Sequence, residues 1–99
     1  MEKVEKIKKI LKEQKDELRK KYEIKEIGIF GSYLKKEQKQ DSDFDILIDF
    51  EPNSGVDLLK FINLENYLSD LLGIKVDLVM KSALKPRIGK HILKNVVYL

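Results

Sequence analysis

Cysteine and tryptophan are missing from this chain of 99 residues. The first absence excludes a disulfide scaffold, thiolate metal sites and cysteine nucleophiles. Histidine occurs once, as His91, and only two of the twenty basic residues are arginines, Arg19 and Arg87. No apolar run approaches eighteen residues, which excludes a membrane-spanning helix. The opening stretch, MEKVEKIKKILKEQKDELRK, alternates charge with apolar residues and has no continuous apolar segment. It does not read as a signal peptide, and the expected location is cytoplasmic. No internal repeat, low-complexity tract or linker interrupts the sequence.

What is present has the balance of a globular domain, 42% hydrophobic and an above-average 37% charged. The length predicts a single domain over residues 1–99, burying roughly 60–70% of its unfolded surface. It leaves no room for a separate substrate- or RNA-binding domain, so a partner is expected to supply whatever this domain lacks. The net charge of +3 conceals a pattern. Residues 1–40 hold thirteen bases against eight acids, residues 41–80 two against nine, and residues 81–99 five against none. Scattered helix-borne lysines read as a solvated surface rather than a nucleic-acid footprint. The acidic middle is the unusual part.

Val4, Ile7, Ile10, Leu11 and Leu18 recur at helical spacing and predict a helix over about 2–21. Ile24 to Phe30 reads as a strand ended by Gly31-Ser32, and a short helix beginning at Ser32 is expected within the polar stretch that follows. Over 44–50 the alternation is clean, with Phe44, Ile46, Ile48 and Phe50 on one face and Asp43, Asp45, Leu47 and Asp49 on the other. The 51–55 segment is a loop, and Ser54 with Asp57 resembles a capping arrangement for the next helix, which ends at Gly73. A third strand is expected over 74–80 and a last helix from Pro86 to about Asn95, with Val96, Val97 and Tyr98 extending the tail.

The informative segment is Gly31-Ser32, ten residues, then Asp43-Phe44-Asp45. A glycine after a strand permits a sharp turn and a close ligand approach, and a helix start beyond it presents free N–H groups suited to phosphate oxygens. Asp43 and Asp45, two apart on a strand, project from one face and repel each other unless a cation lies between them. Mg²⁺ favours carboxylates together with substrate phosphates, so the turn and the pair imply one ligand, a metal–nucleoside triphosphate. Asp77, flanked by Val76 and Leu78, is an acid in an otherwise apolar strand. Such a charge is costly if buried unpaired, and proximity to the other two would account for it. Three carboxylates on one sheet face can bridge two Mg²⁺ ions, and Asp77 can take the proton of an attacking hydroxyl.

Gly31-Ser32-X10-Asp43-X-Asp45, with Asp77 in Lys75-Val76-Asp77-Leu78-Val79, resembles the minimal nucleotidyltransferases of the polymerase-beta-like superfamily. More closely, it resembles the MntA-type antitoxins encoded beside HEPN ribonuclease toxins, over nearly the whole chain in element order and length. The resemblance implies an α/β fold, a small mixed sheet with helices packed mainly on one face. It also implies Mg²⁺-dependent transfer of AMP from ATP onto a tyrosine hydroxyl of the toxin, with release of pyrophosphate. That activity is the antitoxin's part in a type VII toxin–antitoxin system, working in a hetero-oligomer with the toxin and without direct contact to nucleic acid or membrane. Carried over by position, Asp43 and Asp45 are the metal-binding catalytic pair, Asp77 is the third acidic ligand and candidate base, and Gly31 and Ser32 hold the triphosphate. Many relatives carry Arg or another Gly in the loop after the Gly-Ser pair. This chain has Tyr33 to Gln40 there, and its Lys35, Lys36 and Lys39 cannot reproduce a bidentate arginine contact.

Two rivals stand beside this reading: an antitoxin that neutralises its toxin by binding alone, and a nucleotidyltransferase acting on a small molecule or an RNA end. Asp41 and Asp49 read as solvated acids, Arg87 as an exposed helix charge, and His91 as a surface or core-edge residue. Tyr22, Tyr67 and Tyr98 are expected at the core or its edge, while Tyr33 lies close enough to the Gly-Ser turn to touch a nucleotide base.

Overall fold

The computed structural model describes residues 2–30 and 44–99, without the side chains of residues 2–4, 88 and 91. Helical periodicity governs the first element. α1, Glu2–Tyr22, buries Ile7, Leu11 and Leu18, spaced four and seven apart, while Ile10 at the edge of the stripe is half-buried. Glu23 then turns the chain in the left-handed region, with φ at 56°. That conformation costs a residue with a Cβ, and two bonds hold it. The Glu51 N–H donates to the Glu23 carbonyl at 2.8 Å, and the Gly55 N–H donates to Glu23 Oε2 at 3.0 Å.

β1, Ile24–Phe30, pairs antiparallel with β2, Phe44–Phe50, placing Ile27 opposite Ile48, Gly28 opposite Leu47 and Phe30 opposite Asp45. The register shifts between Ile24 and Glu26, so Lys25 is an extra residue and Ile24 and Ile27, three apart, both reach the core. β2 follows its alternation: Phe44, Ile46 and Ile48 are fully buried and Phe50 half-buried. Leu47, on the face of the acids, is buried too, so that face is partly covered.

α2, Leu58–Leu72, begins at Asp57, whose Oδ1 accepts the Lys60 N–H at 2.8 Å, and stops at Gly73 with φ at 67°. The cap is therefore Asp57 and not Ser54, whose N–H closes a turn onto the Glu51 carbonyl at 3.0 Å. Leu64 and Leu68 point into the core, whereas Leu58, Leu59 and Ile62 lie exposed on the early turns. β3, Val76–Met80, starts two residues later than its apolar run suggests, because Ile74 packs against the core before pairing begins. It runs parallel to β2, giving the order β3-β2-β1-β4.

A 3₁₀ turn, Lys81–Ala83, leads to α3, Pro86–Asn95, with proline in its first turn. The tail is more than an extension. β4, Val97–Tyr98, pairs antiparallel with β1, setting Tyr98 opposite Gly28 and Val97 opposite Ile29. The sheet is mixed, as expected, and α1 and α2 share one core with one of its faces. The short helix expected after Ser32 lies outside the described residues. No described helix is long and apolar enough to cross a membrane.

Gly28 is where β4 is seated. A Cβ there would lie 2.5 Å from Val96 Cγ2 and 3.3 Å from Tyr98 Cδ1, and a stiff β-branched side chain yields little. Gly28→Ala is expected to cost about 1–3 kcal/mol in urea denaturation. An unchanged midpoint would contradict the seating of β4 on this glycine.

Candidate active site

The alternation that buries Phe44 and Ile46 sends Asp45 to the opposite face of β2, away from α1 and α2. In β3 the same rule acts: Val76 and Leu78 are buried, and Asp77 between them is exposed. Parallel pairing sets Asp45 directly opposite Asp77. Neighbouring strands lie roughly 4.8 Å apart, so two carboxylates are carried side by side on one sheet face. Asp45 is half-buried. The exposure of Asp77 alters one sequence argument, because its position follows from strand alternation and not from a need to pair a buried charge.

Gly31, Ser32 and Asp43 lie outside the described residues. Their chain neighbours are described. Phe30, which precedes Gly31, is the register partner of Asp45 across β1 and β2, and Phe44 follows Asp43. Among the described residues no three acidic, His or Cys side chains form a metal-holding group, and two of the three expected carboxylates are among them. An all-carboxylate donor set on an accessible face suits a hard cation such as Mg²⁺. Asp45 and Asp77 fit that ion on chemistry and register.

Further along the same face, Lys81 Nζ sits 3.5 Å from Glu26 Oε2 and 5.6 Å from the centre of the Tyr98 ring. Partial burial works against the Lys81 charge, but hydrogen bonding and Coulombic attraction to Tyr98, and then to Glu26, outweigh it and lift its pKa above the ordinary 10.5. Lys81 is a cation at neutral pH. Nothing in the sequence linked these three residues, because they come together only when the tail adds β4. A cleft of about 370 Å³ opens beside Asp49, Glu51 and Lys25, at the other end of β2 from Asp45. Its lining sets the carboxylates of Asp49 and Glu51 beside the Lys25 amine and the apolar Phe50, Pro52 and Met80, and the candidate site remains the Asp45–Asp77 row.

Residues 5–99 match the family model described as Nucleotidyltransferase domain. Protein adenylyltransferase MntA of Thermococcus cleftensis is 55% identical over 96 residues, covering 97% of this chain and 95% of that protein. A solved structure described as a candidate minimal nucleotidyltransferase superposes with a TM-score of 0.74 at 30% identity, covering 97% of this chain and 91% of the other. A chain from the solved complex of a tri-AMPylated Shewanella oneidensis HEPN toxin with an MNT antitoxin gives a TM-score of 0.65 at 21% identity, over 97% of this chain and 70% of the other, a likeness of fold.

Proposed function

The chain belongs to the nucleotidyltransferase-domain family, and from that premise we propose that it is an antitoxin that moves AMP from ATP onto a tyrosine hydroxyl of a partner HEPN-type ribonuclease toxin. The observation that carries the chemistry is the register pairing of Asp45 with Asp77. Support for the protein acceptor comes from the 55% identity to a protein named protein adenylyltransferase. The toxin partner follows the sequence resemblance and the shared fold with a toxin-bound antitoxin.

In this reading Asp43, Asp45 and Asp77 hold Mg²⁺, which when bound neutralises phosphate charge and stabilises the charge developing in transfer. Gly31 and Ser32 cradle the triphosphate through the backbone and the serine hydroxyl. Asp77, on the open face, accepts the proton of the tyrosine hydroxyl as its oxygen bonds to the α-phosphorus. The bond from that phosphorus to the bridging oxygen breaks, and pyrophosphate leaves. Orientation of the acceptor falls to the docked partner, since docking makes the transfer effectively unimolecular.

Labelled ATP tests this. With the toxin present, label in the α-phosphate is expected on the toxin and label in the γ-phosphate in released pyrophosphate. Equal transfer to free tyrosine would overturn the protein-directed reading in favour of a small-molecule enzyme.

A further inference from the structure

β3 is an edge strand, lying last in the order β3-β2-β1-β4. Its inward groups pair with β2, as the Phe44 N–H does with the Lys75 carbonyl at 2.8 Å. The N–H groups of Val76 and Leu78 turn the other way, where no described strand receives them. Two side chains of α2 take that place. The Leu78 N–H donates to Glu65 Oε2 at 2.9 Å, and the Val76 N–H donates to Ser69 Oγ at 3.0 Å. Ser69 Oγ in turn donates to the Glu65 carbonyl at 2.9 Å, which fixes the direction of its hydroxyl.

The spacing explains why one helix serves both sites. Residues four apart on a helix rise by about 6 Å, and residues two apart on a strand by roughly 6.6 Å. Glu65 and Ser69 therefore match Leu78 and Val76 in step. The residue between those two amides is Asp77.

We infer that Glu65 and Ser69 are positioning residues for Asp77: a two-point clamp on the free edge of β3 that holds the strand in register and sets the Asp77 carboxylate against Asp45. The inference rests on the reading of Asp77 as a metal-binding carboxylate. Neither clamp residue belongs to the proposed metal and triphosphate set, and both bond to the edge of β3 that faces away from β2. An edge strand bonded on one side only can slide or fray, and a slip of one residue would turn Asp77 to the other face. A carboxylate acceptor for a backbone N–H also gives a stronger bond than a neutral one, and that bond sits next to Asp77.

The test uses the full chain with Mn²⁺ and a non-hydrolysable ATP analogue as probe. Glu65→Ala and Ser69→Ala are compared with Glu65→Gln, which keeps an oxygen able to accept from Leu78. Glu65→Ala is expected to weaken Mn²⁺ binding about tenfold, the low end of the effect of losing a group that orients a metal ligand. It should also speed amide exchange at Leu78 by roughly tenfold or more. Ser69→Ala should act likewise at Val76 with a smaller effect on Mn²⁺, and Glu65→Gln should recover most of the affinity. Asp77→Asn separates the two layers. If it leaves Mn²⁺ affinity unchanged, the ligand reading of Asp77 fails and the clamp's role fails with it. If Asp77→Asn abolishes binding while Glu65→Ala lowers only the melting temperature, the site stands and the positioning role is overturned.

Discussion

Asn in place of Asp45 is expected to lower AMP transfer by about a thousandfold or more, equivalent to roughly 4 kcal/mol of transition-state stabilisation. Asp45 stands in the middle of its row, with Phe30 on one side and Asp77 on the other. Its amide replacement is nearly isosteric and keeps one acceptor oxygen, but it removes the charge that a cation between the carboxylates needs. The same change relieves repulsion between neighbouring acids and keeps a side chain able to hydrogen-bond, so the fold should stand. Thermal unfolding should stay within a few degrees of wild type, in line with substitutions outside the core. Transfer within tenfold of wild type would place the chemistry elsewhere.

Phe44→Ala carries the largest expected loss of stability, about 3–5 kcal/mol. Phe44 is the bulkiest of the fully buried side chains, and it belongs to one core with residues from α1, α2 and all three longer strands. Its N–H closes the β2–β3 pairing at Lys75, and its neighbours in sequence are Asp43 and Asp45. One ring therefore anchors the start of the strand that carries Asp45. Urea unfolding should show the midpoint falling with little change in slope, as expected when a cavity is left in an otherwise intact core. A loss below about 1 kcal/mol would show that the ring is not the anchor its burial implies.

The contrast between these two positions shows what is legible in the sequence. Strict alternation over 44–50 told Phe44 from Asp45 without coordinates, since a period of two assigns each residue to a face. The stripe of α1, the stop at Gly73 and the proline-led last helix were readable for the same reason, as local rules with local signals. The partnership of Asp45 with Asp77 was half readable. Each strand could be found, but their relative register depends on the α2 crossover, which no local pattern encodes.

Long-range and very short features were not readable. β4 has two residues, too few for any periodicity, and it exists because Gly28 leaves room for Val96 and Tyr98. The bonds of Glu65 and Ser69 to β3 looked like ordinary polar positions on a helix. The exposure of Leu58, Leu59 and Ile62 was not readable either, because apolar character alone does not say which side of a helix meets the sheet. Gly31, Ser32 and Asp43, with which the sequence argument began, stand on that argument, since they lie outside the described residues.

In the proposed function this chain places AMP on a partner protein through its aspartates. The most direct measurement is the intact mass of the HEPN-type toxin co-expressed with this protein, and with its Asp45→Asn variant. Toxin heavier by whole AMP increments is expected with the wild-type chain, mapped by fragmentation to a tyrosine, and unmodified toxin with the variant. Toxin of unmodified mass in both, held inactive in a stable complex, would contradict it and leave neutralisation by binding alone.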